Sequence, residues 1–540
     1  MISSQKGVIQ ALIVGLFSLL LVACGGSSSG SSTDSNSDND QVTDNPSETE
    51  DDDGGSSDNP DSDPNPTPDP DPGNETIGSS IKFESPPTIL NDDLIQNAAE
   101  YASSDVGPNG DIVVTWVENT FVRISNDGLT FNNHSTFARI FDRESGHWSE
   151  PRQLDDGVFP NVALYWGNIA DSVIDTEFVG DQIVTTWIEN NTLIGSFHDG
   201  NDWIANPFVI SGKDGVGSPV VSQSLIEKPD GSGVIVVFET REEESTLKTL
   251  GWSEFSFQTR RWSDAEVIFG PTESLFPQRS TNEYPMVSDP KSGKIHVAWR
   301  GGASDELRTS SFRGGEWSPS EIVIDEDLSG TIQGFTMQPD PESDTPIFMV
   351  NALGYESIDA PLTVRKISNA WVAQQIDSLA NVAGPVIGGL VNFSHSATLS
   401  DGDIVASFFY GLPNTEEVVL STVRYDLASQ TWGPESVVER TGPNPEGSLS
   451  FQSEKLVSDG NGRAALVYSA GEANMVSGRL KFLDTSGEWL STSSSFSSQF
   501  GVAHDPSFDI AVNESGQAVL SWIGLELDFG NQPLKVLLGQ

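Results

Sequence analysis

The side chains of this 540-residue chain best suited to chemistry are six histidines, one cysteine and 79 acids. The histidines, His134, His147, His198, His296, His395 and His504, are scattered without the short spacings that bring imidazoles to one metal. Ordinary surface or core roles are therefore expected for them. No H-E-x-x-H, no G-x-S-x-G and no phosphate-cradling glycine loop is present, so no catalytic residue is assigned. Carboxylates remain. Glycoside chemistry needs two at a set separation across the scissile bond; among so many acids some pairs must lie close, but no pair is singled out. Three acids are set apart by position: Glu118, Glu189 and Glu239 each follow an alternating apolar run that ends in an aromatic residue. They are candidates to ring one face of the fold, and a row of solvated loop acids is the competing expectation. Tyr165 and Trp166, within the long segment 155–173, are the aromatic candidates, placed either to stack on sugar rings or to pack over the mouth of a channel.

The elements that must position these residues repeat. A glycine- or aspartate-led alternating run recurs as "GDIVVTW" ending at Trp116, "GDQIVTTW" at Trp187, "GSGVIVVF" at Phe238 and "SGKIHVAW" at Trp299. Weaker copies end at Val350, Phe408, Tyr468 and Trp522. A second series sets Trp148, Trp203, Trp262, Trp317, Trp371, Trp432 and Trp489 before a short apolar end, and both series share a period of roughly 57 residues. Runs such as "STFARIFD" (135–142) and "YPMVSD" (284–289) supply a third and a fourth strand per unit. Four short strands joined by turns describe a propeller blade, and apolar residues on both faces of the alternating run require sheets covered on both sides. The last unit ends without its Trp element, whereas "IKFESPPTIL" (81–90) opens the periodic region with Phe83 aligned to Trp148. The expected fold class is thus all-β, an eight-bladed β-propeller over 81–540 closed by an N-terminal strand. Seven blades is the alternative if the unit ending at Val350 is irregular. The longest insertions, 117–134 and 155–173, fall in loops that share one face, and a ligand is expected there.

The region 81–540 resembles the bacterial propeller repeats of secreted proteins that are broadly sialidase-like in architecture. That resemblance implies a fold, not an activity. "SNDGLTF" (125–131) resembles their Asp-box, a device that holds a tight hairpin through the Asp127 side chain and hydroxyls. It is one residue short and carries Phe131 where the box has tryptophan. The arginine stretch that accompanies sialidase chemistry is not matched, since Arg123-Ile124 leads into Ser125.

The N-terminus carries its own signal. One lysine, an apolar run and small residues precede Cys24, and Leu21-Val22-Ala23-Cys24 resembles the bacterial lipobox. This resemblance implies a signal peptide over 1–23, a lipid on Cys24, and outer-membrane placement because Gly25 follows. The domain would be periplasmic or exposed at the cell surface. Residues 24–80 are rich in Ser, Asp, Asn and Pro, with too few apolar side chains to fold, and read as a disordered acidic tether. A formal net charge of −52 excludes a nucleic-acid partner. No cofactor is implied; calcium is the one ion that so many acids leave open, although "DSNSDND" (34–40) lacks the glycine and glutamate of an EF-hand loop. The expected protein is a monomeric, lipid-anchored binding module for a glycan or an envelope protein. A carbohydrate-active enzyme and a structural surface lipoprotein are the alternatives.

Overall fold

A computed structural model describes residues 83–539. Excepted are 84–86, 92–96, 124–129, 156–173, 190, 212–218, 242–245, 277–283, 302–305, 325–331, 356–357, 380–391, 400–401, 413–416, 441–449, 473–474, 486, 491–493, 496–507 and 524–532. Cys24, the tether, Asp127, Tyr165 and Trp166 lie outside the described residues.

Among the described residues the chain forms eight antiparallel sheets of at least four strands, strung one after another along the sequence. The first strand of each sheet lies against the first strand of the next, and that of the eighth lies against that of the first, so the ring closes as an eight-bladed propeller. The first strands line its centre: Asn97–Val106, Ile174–Val179, Val220–Glu227, Met286–Asp289, Ile332–Pro339, Asn392–Thr398, Ser450–Ser458 and Phe508–Val512. The unit ending at Val350 is a regular four-stranded blade, the fifth, which decides eight against seven.

Each second strand is sandwiched between two neighbouring blades, which is why its sequence is apolar on both faces. In blade 3, Val234 to Phe238 are all at most 3% exposed, and in blade 8 Ala518 to Ile523 are all buried. Burial of each such aliphatic or aromatic side chain is worth about 1.5–3 kcal/mol, so these strands carry most of the packing free energy. Trp116, Trp187, Trp299 and Trp522 are among the largest fully buried side chains.

The second tryptophan series marks the outermost strands and reaches backward. The ring of Trp262 in blade 3 covers Gly195 in the third strand of blade 2, where an added Cβ would stand 2.9 Å from Nε1. Trp317 meets Trp252 of blade 3 edge-on at 6.2 Å, and Trp489 donates its indole N–H to Thr422 Oγ1 of blade 6 at 2.7 Å. Trp432 makes the same bond to Thr363 of blade 5. These tryptophans are joints between blades.

Ring closure follows the same rule. Thr88–Ile89 pairs with Leu534–Gly539 as the fourth strand of blade 8, and Phe83 bridges Gly539. Phe83 then stacks on Phe482 of blade 7 at 6.0 Å, the role that tryptophan fills elsewhere. One expectation is corrected. The segment 117–134 is mostly not a loop: the second strand of blade 1 runs Ile112–Arg123 and the third runs Thr130–Asp142, paired throughout. The alternation that marks the strand core continues past Trp116, so the ladder extends beyond the blade rather than opening into an insertion.

Candidate functional site

Three places bear on function: the ends of the second strands, the central channel and a cleft between blades 4 and 5. At the strand ends, Glu118, Glu189 and Glu239 occupy nearly equivalent positions in blades 1, 2 and 3, but they are not a row of solvated acids. Glu118 is fully buried and accepts the indole N–H of Trp116 at 2.8 Å. Glu189 accepts that of Trp187 at 3.4 Å. Glu239, 2% exposed, accepts the hydroxyl of Tyr284 at 2.5 Å and faces Lys248 at 3.2 Å and Arg241 at 3.5 Å. A buried indole or phenol needs an acceptor and a buried carboxylate needs donors, so these groups satisfy each other. Burial, followed by the charge of Glu239, pushes the Tyr284 phenol well above its ordinary range, which keeps it a hydrogen-bond donor.

The channel gathers carboxylates that sequence spacing did not single out. In three successive blades an aspartate on the first strand accepts a backbone N–H from the first strand of the next blade. Asp509 takes Ser104 N at 2.6 Å, Asp105 takes Phe178 N at 2.6 Å and Asp175 takes Leu225 N at 2.8 Å. Lys455 of blade 7 pairs with Asp509. Burial pushes Asp105 up to about 7, against the pull of the Phe178 and Val106 amides, and the charge of Asp509 adds to the rise. Burial likewise pushes Asp175 up to about 6. Glu177 is raised well above the usual carboxylate range by burial and by Asp105, Asp175 and Glu227. Among the described residues, no group of three or more His, Cys, Asp or Glu side chains is arranged to hold a metal ion.

The cleft lies at the opposite end of the blades from the second-strand aromatics, where those strands begin. It has a volume of about 440 Å³ and is walled by Lys294, His296 and Thr309 of blade 4 and by Asp344, Lys366 and Trp371 of blade 5. At this seam the tryptophan takes a different partner from Trp432 and Trp489. Thr309 holds the third-strand position equivalent to Thr363 and Thr422, but it donates to Val297 O at 2.9 Å. Trp371 donates instead to Glu321 Oε2 at 3.2 Å. Lys366 also pairs with Glu321, at 2.5 Å, and Lys294 pairs with Asp344 at 2.6 Å. The carboxylates are exposed, 48% and 64%, whereas the two lysines are 19% and 17% exposed. All four charged groups therefore line the cleft as two ion pairs, with the more exposed carboxylates towards its lip.

The insertion-bearing face expected from the sequence is the opposite one, and this cleft is a separate candidate. Its signal was available in His296, three residues before Trp299 on a strand that should be packed. The seven equivalent residues are Val113, Val184, Ile235, Ile347, Val405, Ala465 and Val519, all buried and apolar.

No family model matches this sequence, and no curated protein is similar to it. Solved structures similar to it include the Dos1 propeller, at 9% identity and TM-score 0.40 over 82% of this chain and 95% of that one. The polysaccharide lyase Uly1 is similar at 10% identity and TM-score 0.39 over 82% and 89%. AofleA from Arthrobotrys oligospora is similar at 12% identity and TM-score 0.32 over 67% and 92%. Likeness at this level carries no functional inference. The class of this protein rests on its own strand pairing: it is an eight-bladed β-propeller.

Proposed function

We propose that this protein is an extracytoplasmic binding module, tethered to the bacterial outer membrane through a lipid on Cys24, whose propeller engages a glycan or an envelope protein. The observation that carries the binding reading is the cleft between blades 4 and 5. It is open, lined by ammonium, indole, imidazole and hydroxyl donors together with the Glu321 and Asp344 carboxylates, and it lies where Trp371 bonds to Glu321 instead of the third-strand threonine. Such concave, donor-rich surfaces suit recognition of a polyhydroxylated or anionic ligand. Glycan-array binding combined with hydrolysis and lyase assays on the purified protein tests it. Binding without turnover is the expected result, and silence on both counts would favour a protein partner or a structural role.

The anchor reading rests on Leu21-Val22-Ala23-Cys24 after the apolar run. Fatty-acid labelling in a bacterial host should disappear in Cys24→Ser; persistence of the label would refute it. A second reading, an enzyme on polysaccharides, is favoured by the raised carboxylates Asp105, Asp175 and Glu177 in the channel. Turnover abolished by Glu177→Gln would establish it. Against it stands the use of Asp105 and Asp175 as acceptors for backbone amides of neighbouring blades.

A further inference from the structure

We propose that the cleft between blades 4 and 5 binds an acidic sugar residue. Its carboxylate would lie against Lys366 and the Trp371 indole N–H, and a ring hydroxyl would bond to His296. This rests on the reading of the cleft as a binding site and names the chemistry it selects.

His296 is the exception in its series. Seven of eight blades place an aliphatic side chain at this position, so the fold does not need a polar group there. His296 is 3% exposed, and its Nε2 has no hydrogen-bond partner. A buried polar atom without a protein partner favours a ligand group able to pair with it. Burial and Lys294 hold the imidazole down at about 4, against the pull of Asp289, Asp344 and Glu321. It is therefore neutral at physiological pH and can either accept from a hydroxyl or donate to one.

The charge of the ligand follows from the lip. Glu321 Oε2 already occupies the point where Lys366 Nζ and Trp371 Nε1 converge, at 2.5 Å and 3.2 Å. That point is a carboxylate site filled by a side chain half exposed to water. A surface ion pair of this kind contributes little net stability, so a ligand carboxylate can displace it readily. Lys294 of blade 4 and Asp344 of blade 5 form a second ion pair across the cleft. The net charge of −52 does not forbid an anion here. At physiological salt, charges beyond about 8 Å are largely screened, and the local groups decide. Trp371 supplies an aromatic wall, and a volume of about 440 Å³ admits one or two sugar rings.

The test titrates the full-length protein, by calorimetry at two salt concentrations, with trimers of galacturonate, glucuronate and mannuronate and with the neutral galactose, glucose and mannose trimers. The expected result is salt-sensitive binding of at least one uronate trimer with the neutral trimers at least tenfold weaker. Lys366→Met should weaken that binding at least tenfold. Glu321→Gln, which removes the competing carboxylate, should tighten it severalfold, an effect that a merely structural role would not produce. His296→Val, which restores the residue type of the other blades and so should fold, should weaken binding while leaving the melting temperature unchanged or higher. Equal or better binding of neutral trimers, or uronate binding indifferent to both Lys366→Met and Glu321→Gln, overturns the acidic-sugar assignment and leaves the binding module standing. No binding of any trimer also overturns the assignment, and the glycan array then decides separately whether the protein binds any glycan.

Discussion

Asp509 should be the most costly single carboxylate to remove from the channel. It is 6% exposed and accepts Ser104 N at 2.6 Å, Ser104 Oγ at 3.2 Å and Ile510 N at 2.9 Å. It also pairs with Lys455, whose side chain is 40% exposed. Asp509→Ala leaves the buried Ser104 amide without an acceptor, at a cost of about 1–3 kcal/mol. Lys455 can turn to water, so loss of the ion pair adds only ~0–1 kcal/mol. The expected destabilisation is therefore about 1–4 kcal/mol. Asp509→Asn keeps one oxygen for the Ser104 amide and should lose only ~1 kcal/mol. Because this bond joins blade 8 to blade 1, the seam where the ring closes, proteolysis near Thr88–Ile89 should accelerate in the alanine variant as well. Urea unfolding followed by tryptophan fluorescence reads both variants. If Asp509→Ala falls within 0.5 kcal/mol of the wild type, or if Asn is as damaging as Ala, the backbone-acceptor role assigned to this carboxylate is wrong.

Other outcomes follow from the same geometry. The folded-state pKa of Asp105 is raised to about 7 from an ordinary 3.8, so its contribution to stability is full below about pH 4 and is lost as pH rises through 7. Asp105→Asn should flatten that decline between pH 5 and 8 in thermal melts; an unchanged slope would contradict the assignment. Gly195→Ala would set a Cβ 2.8 Å from Ile210 Cδ1 and 2.9 Å from Trp262 Nε1, and such overpacking should cost about 1–3 kcal/mol in urea unfolding. Trp299→Ala empties a fully buried site packed against blade 3 and should cost about 3–5 kcal/mol by the same measurement.

Much of the fold was legible because a propeller repeats one physical problem. Every second strand must be apolar on both faces, so "GDIVVTW" and its copies announce themselves, and every outer strand needs an aromatic joint, so the Trp148 series follows at the same period. The echo at Phe83 located the closing strand because the last blade lacked its own aromatic element. The site was harder to read. Glu118 and Glu239 were visible as regularly placed acids, but their burial depends on where the Trp116 indole, two residues away, and the Tyr284 phenol, leading into the next blade, point. The channel staples join residues as far apart as Ser104 and Asp509, a pairing that no local spacing encodes.

The sequence by itself determined the repeat, the order of strands and the places of the repeated tryptophans, since these depend on which positions must exclude water, and the regular sheet around Val350 then decided eight blades against seven. Only the tertiary structure decided that His296 faces a cleft rather than a packed joint. The distinction depends on whether Trp371 of the next blade closes over Thr309 or turns to Glu321, and that is set by contacts between blades rather than by any property of "SGKIHVAW" alone.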